Sequence, residues 1–235
     1  MYMINRKKPI LDARLSATAS LVFGDFVADI GTDHGYLPIA LVSSGKISRA
    51  VASDIRRGPL ERARKNIAAA GLSDKIETRL CDGLRGIEEF PVSDIVIAGM
   101  GGLTVIDILA AADFIKDKRT HLVLQPVQHE GELTVYLAEN GFFIDKEALV
   151  LDDGRVYRVI SAAYDGTRRT ASPLDAMLGA YNVAHKREYP EAFRALCEKR
   201  EKLLRAKILG NKKAGNDTKF EEELLQTIEK ERSEV

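Results

Sequence analysis

The chain has 235 residues, 45% of them apolar and 30% charged. That suffices for one α/β domain with a short appendage and excludes compositional disorder. Formal net charge is zero, yet residues 166–214 carry 12 Lys/Arg against 5 Asp/Glu, while 215–235 carry 3 against 7. A basic block of this kind suits a polyanionic partner. Cys81 and Cys197 form no Cys-x-x-Cys pair and the four histidines are scattered, so neither a disulfide framework nor a metal site is expected, and a reducing cytoplasm fits. No apolar run approaches about 18 residues, and the start, MYMINRKKPILD, lacks an apolar stretch followed by a cleavage site. Membrane insertion and secretion are not expected.

Apolar residues at helical spacing predict a helix over 11–22. The strand FVADIG (26–31) follows, then a helix over about 36–44 and the strand AVASD (50–54). Pro59 opens a helix that stops at Gly71. Strands at 75–81, 94–99 and 121–126 follow, with helices near 104–114 and 130–140. Strands alternating with helices mean βαβ units and a parallel sheet. The last pair differs: 142–151 and 155–164 are joined by Asp152-Asp153-Gly154, a hairpin turn with no room for a crossover helix. A doubly wound, seven-stranded α/β sheet closing on an antiparallel hairpin is the class I methyltransferase arrangement. A nicotinamide-binding Rossmann domain would end in a parallel strand and its helix.

Two domains are expected, 1–165 for the sheet and 166–235 for a helical tail. In the tail, Ser172-Pro173 reads as a helix N-cap, and Leu174, Leu178, Tyr181 and His185 share a face. Phe193, Leu196, Arg200, Leu203 and Lys207 keep helical spacing until GNKKAGND (210–217), and Phe220, Leu224, Leu225 and Ile228 mark a final helix. This predicts a helical hairpin resembling an antiparallel coiled coil.

The chemistry concentrates in Asp29-Ile30-Gly31-Thr32-Asp33-His34-Gly35, at the end of the first strand. Gly31 and Gly35 permit a tight turn and a close ligand. Two carboxylates there would repel a pyrophosphate, by roughly 4 kcal/mol per close charge pair at an effective dielectric of about 20. They suit instead the sulfonium and ammonium of S-adenosylmethionine. Asp33 could alternatively cap the next helix. Asp54, ending the second strand, can accept ribose hydroxyls or be an ordinary strand-end carboxylate; Ile55 beside it joins the cofactor candidates. Asp82-Gly83 follows the third strand, where an Asp can bind an adenine amino group. Cys81 reads as a packed apolar residue rather than a nucleophile.

Ala98-Gly99-Met100-Gly101-Gly102 ends the fourth strand, bringing bare backbone to a transferable methyl. The Asn/Asp-Pro-Pro-aromatic motif common in exocyclic amino methyltransferases is absent, which tilts the reading toward a ring nitrogen with an in-plane lone pair. His34 could touch substrate or cofactor, or cap the helix; His121, His129 and His185 read as structural. Gln125-Pro126 either lines the substrate side or ends strand pairing.

DIGTDHGYLP (29–38), SDIRRGPLERA (53–63), CDGL (81–84), IAGMGG (97–102), LQP (124–126) and LAENGF (137–142) together resemble the bacterial tRNA adenine-22 N1-methyltransferases. The resemblance covers 1–165 closely and the tail by architecture. It implies methylation of N1 of a D-arm adenine in tRNA, S-adenosylmethionine as cofactor and S-adenosylhomocysteine as product. It also implies Asp29, Gly31, Asp33, His34, Gly35, Asp54, Asp82, Gly83 and Gly99 as the cofactor site. Thr32 replaces the more usual Ser and keeps the hydroxyl. Val127 stands where Asn is expected after LQP, which puts a polar role there in doubt.

Asp33 and His34 are the catalytic candidates, Asp33 as a stabiliser of the developing positive charge. Arg168, Arg169, Lys186, Arg187, Lys199 and Arg200 are candidates for tRNA phosphate contacts, extended from the N-terminus by Arg6, Lys7, Lys8 and Arg14. A solvated helical face or a dimer seam would also explain the tail's charge. Two other functions remain open: a catalytically degenerate RNA-binding or assembly module, and a small-molecule methyltransferase.

Overall fold

The computed structural model describes residues 9–235; Arg6, Lys7 and Lys8 lie outside the described residues. Seven strands form one sheet: β1 (Phe26–Ile30), β2 (Arg49–Asp54), β3 (Ile76–Leu80), β4 (Asp94–Met100), β5 (His121–Pro126), β6 (Phe142–Asp152) and β7 (Arg155–Tyr164). Their order is β3-β2-β1-β4-β5-β7-β6, with β7 antiparallel to both β5 and β6. This is the expected class I arrangement. The central strands are short apolar runs because both sheet faces are covered, as parallel sheets require. The closing hairpin turns where Asp153 and Gly154 both adopt positive φ, the geometry that suits the twist of paired strands.

Helices α1 (Ala13–Ser20), α2 (Tyr36–Ser43), α3 (Arg57–Ala69), α4 (Gly102–Ala110) and α5 (Glu130–Glu139) flank the sheet. α1 is shorter than the apolar spacing suggested because Asp12 caps it, accepting the Leu15 N–H at 2.6 Å. α3 begins two residues before Pro59. α4 ends before a separate single turn at Asp113–Ile115, which the periodicity had merged with it.

The tail comprises α6 (Pro173–Leu178), α7 (Ala180–Ala184), α8 (Pro190–Lys213) and α9 (Lys219–Ser233). Ser172 and Asp175 form a reciprocal capping box on α6. α8 runs through Gly210 instead of breaking there, and the chain turns over 214–218. Phe193, Leu196, Cys197 and Leu204 are buried in one apolar cluster with Leu224, Leu225 and Ile228 of α9, while Leu203 is exposed.

The hairpin's charges are largely self-complementary. Arg205 pairs with Glu229, Lys207 with Glu221 and Lys212 with Glu222, while Arg232 of α9 returns to Glu198 and Glu201. The basic block and the acidic end of the sequence are therefore two sides of one hairpin. The tail also packs on the sheet domain across the 165/166 boundary: its core includes Leu149 of β6 and Val156 of β7.

Candidate active site

The β1/β4 boundary is where the strand order reverses, with β2 and β3 on one side and β5 on the other. Ligands in open α/β sheets bind beyond the strand carboxyl ends at such a point. A cleft of about 1350 Å³ opens there, ample for a nucleoside cofactor and part of a second ligand.

The glycine motif forms the cleft's floor. Asp29, next to last in β1, is almost fully buried, and the Thr32 hydroxyl donates to its Oδ2 at 2.5 Å. Burial pushes the Asp29 carboxyl up to about 6, against the Thr32 hydrogen bond and with help from the Asp54 charge. Gly31 and Thr32 N–H groups both donate to the Ser53 carbonyl at 2.8 Å, tying the turn to β2. A Cβ on Gly31, whose φ is +74°, would stand 2.2 Å from Met100 Cε. Gly31→Ala is expected to destabilise the fold by about 1–3 kcal/mol through backbone strain alone. It should also push Met100 into the cleft; thermal unfolding and calorimetry with S-adenosylmethionine check the two effects.

Asp33 adopts φ +46°, a left-handed conformation that non-glycine residues seldom take. It is not the helix cap: Gly35 holds the N-cap position of α2 without a side-chain cap. The Asp33 carboxylate instead accepts from Arg62 Nη2 at 2.7 Å and faces His34 Nε2 at 3.5 Å. His34 does not cap α2 either. Its ring stacks on Tyr36, centroids 5.1 Å apart, and both line the cleft.

Asp54, buried at the end of β2, accepts the Arg56 N–H at 2.8 Å, and the exposed Ile55 lines the same wall. Asp82 and Gly83 follow β3, with Ile108 of α4 packed 3.3 Å from where a Gly83 Cβ would be. Cys81 is half-buried in that wall, and burial raises its thiol pKa, as befits a packing residue. Gly35, although in the motif, acts through the backbone at the head of α2.

On the β4/β5 side the structure contains a linkage that the sequence did not display. Gln125 is fully buried, and its Oε1 accepts both from Arg14 Nη1 at 2.7 Å and from the Gly99 N–H at 3.1 Å. Arg14 thus belongs to the cleft rather than to an outer basic surface. Val127 is exposed, its N–H donating to the Met100 carbonyl.

The other histidines hold structure. His121 bridges Asp94 at 2.7 Å and Ser161 at 2.8 Å. His129 contacts Glu132, and His185 contacts the Tyr181 carbonyl. Among the described residues no cluster of metal-ligating side chains occurs, and no helix is long and apolar enough to cross a membrane.

The tail candidates are not brought together as one free basic surface. Arg200 is buried, its Nη2 on Glu130 at 3.1 Å and its Nε on the Met177 carbonyl. Lys199 reaches the other Glu130 oxygen at 3.0 Å. Lys186 pairs with Glu231 and Glu234, and Arg169 with Asp165. Arg168 and Arg187 are exposed and have no carboxylate partner among the described residues.

Residues 11–160 match the family model described as a methyltransferase domain. The chain is 36% identical over 175 residues to the tRNA (adenine(22)-N(1))-methyltransferase of Bacillus subtilis (strain 168), covering 70% of this chain and 72% of that protein. It belongs to the tRNA adenine-22 N1-methyltransferase family. Solved structures agree across the whole architecture. A Streptococcus pneumoniae candidate tRNA (m1A22) methyltransferase, in complex with S-adenosyl-L-methionine, superposes with a TM-score of 0.80 at 31% identity. The alignment covers 95% of this chain and 100% of that one. The B. subtilis M1A22 tRNA methyltransferase TrmK gives 0.77 at 27% identity, covering 95% and 96%. Both coverages extend beyond the methyltransferase domain, so family membership includes the helical tail.

Proposed function

We infer that this chain transfers the methyl group of S-adenosyl-L-methionine to N1 of adenine 22 in tRNA. The observation that carries the reading is the donor set at the β1/β2 strand ends. Buried Asp29 and Asp54 flank a glycine turn in which a Cβ on Gly31 would collide with Met100 Cε. That set fits a cationic nucleoside: Asp54 would take the ribose hydroxyls, Asp29 the ammonium and Asp82 the adenine amino group, with Ile55 and Ile108 as apolar lining of the same cleft. Gly83 and Gly99 keep the walls free of side chains.

The bound cofactor supplies an electrophilic methyl, whose bond to sulfur breaks as its bond to adenine N1 forms. The chain's part is to position the base and to exclude water. Adenine N1 has an in-plane lone pair, so no base is needed before transfer, and no covalent enzyme intermediate is required. The methylated base becomes cationic in a cleft rich in carboxylates, which lowers the energy of the developing charge. Arg62 partly neutralises Asp33, making Asp33 a minor contributor to that effect. The stacked His34–Tyr36 pair offers a planar surface to a base flipped from the D-arm. The substrate places the activity in the cytoplasm.

The test is mass-spectrometric mapping of an in vitro tRNA transcript treated with enzyme and S-adenosylmethionine. N1-methyladenosine at position 22, and no incorporation when adenine 22 is replaced by guanine, is the expected result. A methyl on the exocyclic amine or at another position would contradict it. RNA binding without transfer to any tRNA would identify a degenerate module, and methylation of small molecules alone would identify the third class.

A further inference from the structure

We propose that Arg14 contacts the phosphate of the target nucleotide, and that Gln125 is the positioning residue that aims it. This deepens the tRNA reading of the cleft and rests on it. Three observations converge.

The first is the anchoring. Gln125 is a polar side chain with no solvent exposure at the end of β5. Its Oε1 takes two N–H donors, Arg14 Nη1 and Gly99 N, and its Nε2 donates to the Pro126 carbonyl at 2.8 Å. Burying an amide is favourable only when it is fully bonded. Here the bonding joins the first turn of α1 to the β4 glycine turn in the lining of the cleft. A Cβ on Gly99 would lie 3.4 Å from Arg14 Nη1, so the guanidinium rests directly against that turn.

The second is the guanidinium's remaining capacity. Arginine carries five donors in a rigid fork. One is used on Gln125, and Asp12 lies 3.5 Å from Nη2 with its carboxylate nearly half exposed. No other hydrogen bond occupies the fork among the described residues. Arg14 keeps some exposure, 22% of its side chain, and it lines the cleft. A fixed, incompletely used guanidinium at a cleft wall matches a bidentate phosphate partner.

The third is the charge distribution. The cleft is lined by Asp12, Asp29, Asp33, Asp54, Asp82 and other acids, which suits a cofactor with two cationic groups and repels RNA. Its arginines are Arg14, Arg56 and Arg85. Arg56 stands beside Asp54 at the ribose end, and Arg85 follows the Asp82-Gly83 loop. Arg14 alone stands at the β4/β5 end of the cleft, the end left for the acceptor base once the cofactor takes the β1/β2 side. The N-terminus of α2 at the glycine turn has no side-chain cap and would be an alternative partner for the cofactor's carboxylate.

The experiment compares the full-length protein with Arg14→Gln, Arg14→Lys, Gln125→Ala and Gln125→Glu. Cofactor affinity is measured by calorimetry, tRNA affinity across a salt series, and transfer by single-turnover assay. Arg14→Gln should leave S-adenosylmethionine affinity within about twofold. It should weaken tRNA binding about tenfold and lower the slope of log Kd against log salt by about 0.7–0.9, the loss of one phosphate contact. Arg14→Lys keeps the charge but loses the fork, so the salt slope should hold while transfer at saturating tRNA falls. Gln125→Ala should reproduce that rate loss, and Gln125→Glu, which keeps an acceptor for both donors but sets a carboxylate oxygen against the Pro126 carbonyl in place of an N–H, should restore it only in part. Loss of cofactor affinity with normal tRNA binding would assign Arg14 to the cofactor carboxylate and overturn the proposal. Unchanged affinities and rates in Arg14→Gln would also overturn it. Wild-type protein that fails to methylate adenine 22 would refute the functional reading itself, separately from any effect at Arg14.

Discussion

Asp29→Asn is expected to raise the melting temperature of the ligand-free protein by several degrees at pH 7.5 and to weaken S-adenosylmethionine binding at least a hundredfold. Asp29 is only 5% exposed, and its carboxyl is held at about 6 instead of 3.8, first by burial and then, against the Thr32 hydrogen bond, by the Asp54 charge. Holding the ionised form there costs about 3 kcal/mol. A raised carboxyl pKa means that the folded state binds more protons than the unfolded state between about pH 4 and 6. Ligand-free stability should therefore fall as pH rises through that window, and the full cost remains above it. Asn carries no charge to desolvate, so its stability profile should be flat there. At about 2–4 °C per kcal/mol for a chain of this size, the gain is measurable.

The cofactor reverses the balance. A buried carboxylate without a cation in reach is unfavourable until the cofactor's ammonium neutralises it. Wild-type affinity should weaken below pH 6 as Asp29 protonates, while the weak binding by the Asn variant stays level. Calorimetry at pH 5.5, 6.5 and 7.5 with a thermal-unfolding series checks both halves. A variant that binds as tightly as wild type would remove Asp29 from the cofactor site.

Topology was legible because it rests on local signals. Apolar runs separated by helical periods specify parallel strands, and Asp152-Asp153-Gly154 leaves room only for a hairpin. The lining of the candidate cleft was legible for the same reason: Asp29, Gly31, Asp54 and Asp82 sit at or just beyond strand ends, fixed by chain order. Contacts between distant segments were not legible. Nothing near Arg14 in sequence points to Gln125, 111 positions away, and a buried glutamine at a strand end gives no periodic signal. The pairing of the tail's charges was not legible for a related reason. Counting charges over 166–214 shows an excess of cations, but the count cannot show that α9 folds back to lay its glutamates against them. Arg200 even shares the spacing of the apolar stripe, because its aliphatic stem lies in the core while its guanidinium reaches Glu130.

That docking determines what removing the tail should do. A chain ending at Gly166 retains all seven strands and every residue proposed to hold the cofactor, yet it is expected to melt at least about 10 °C below the full chain. Leu149 and Val156 would lose the cover that α8 and its neighbours provide. Full burial of such side chains contributes about 1.5–3 kcal/mol each, a large part of the 5–15 kcal/mol that keeps a domain folded. At about 2–4 °C per kcal/mol, the deficit corresponds to roughly 10 °C. Arg158, fully buried on Glu147, would also lose the Ala176 carbonyl that it bonds at 3.1 Å. Glu130 adds a pH signature to the intact protein. Burial pushes its carboxyl up, but Arg200 and Lys199 outweigh that and hold it down at about 2. A depressed carboxyl stabilises the folded state above pH 4.5 and stops doing so as pH falls toward 2. The full chain should lose that contribution in acid, whereas the shortened chain has none to lose. Saturating S-adenosylmethionine at about a hundred times its dissociation constant adds about 2.7 kcal/mol and should recover part of the missing stability. Recovery would show that the cofactor site survives without the tail, so tRNA methylation by the rescued chain then measures the tail's contribution to RNA. Calorimetric unfolding of both chains, with and without cofactor, decides the matter. Equal melting temperatures would mean that the hairpin is a separable appendage and that its packing on β6 and β7 contributes little.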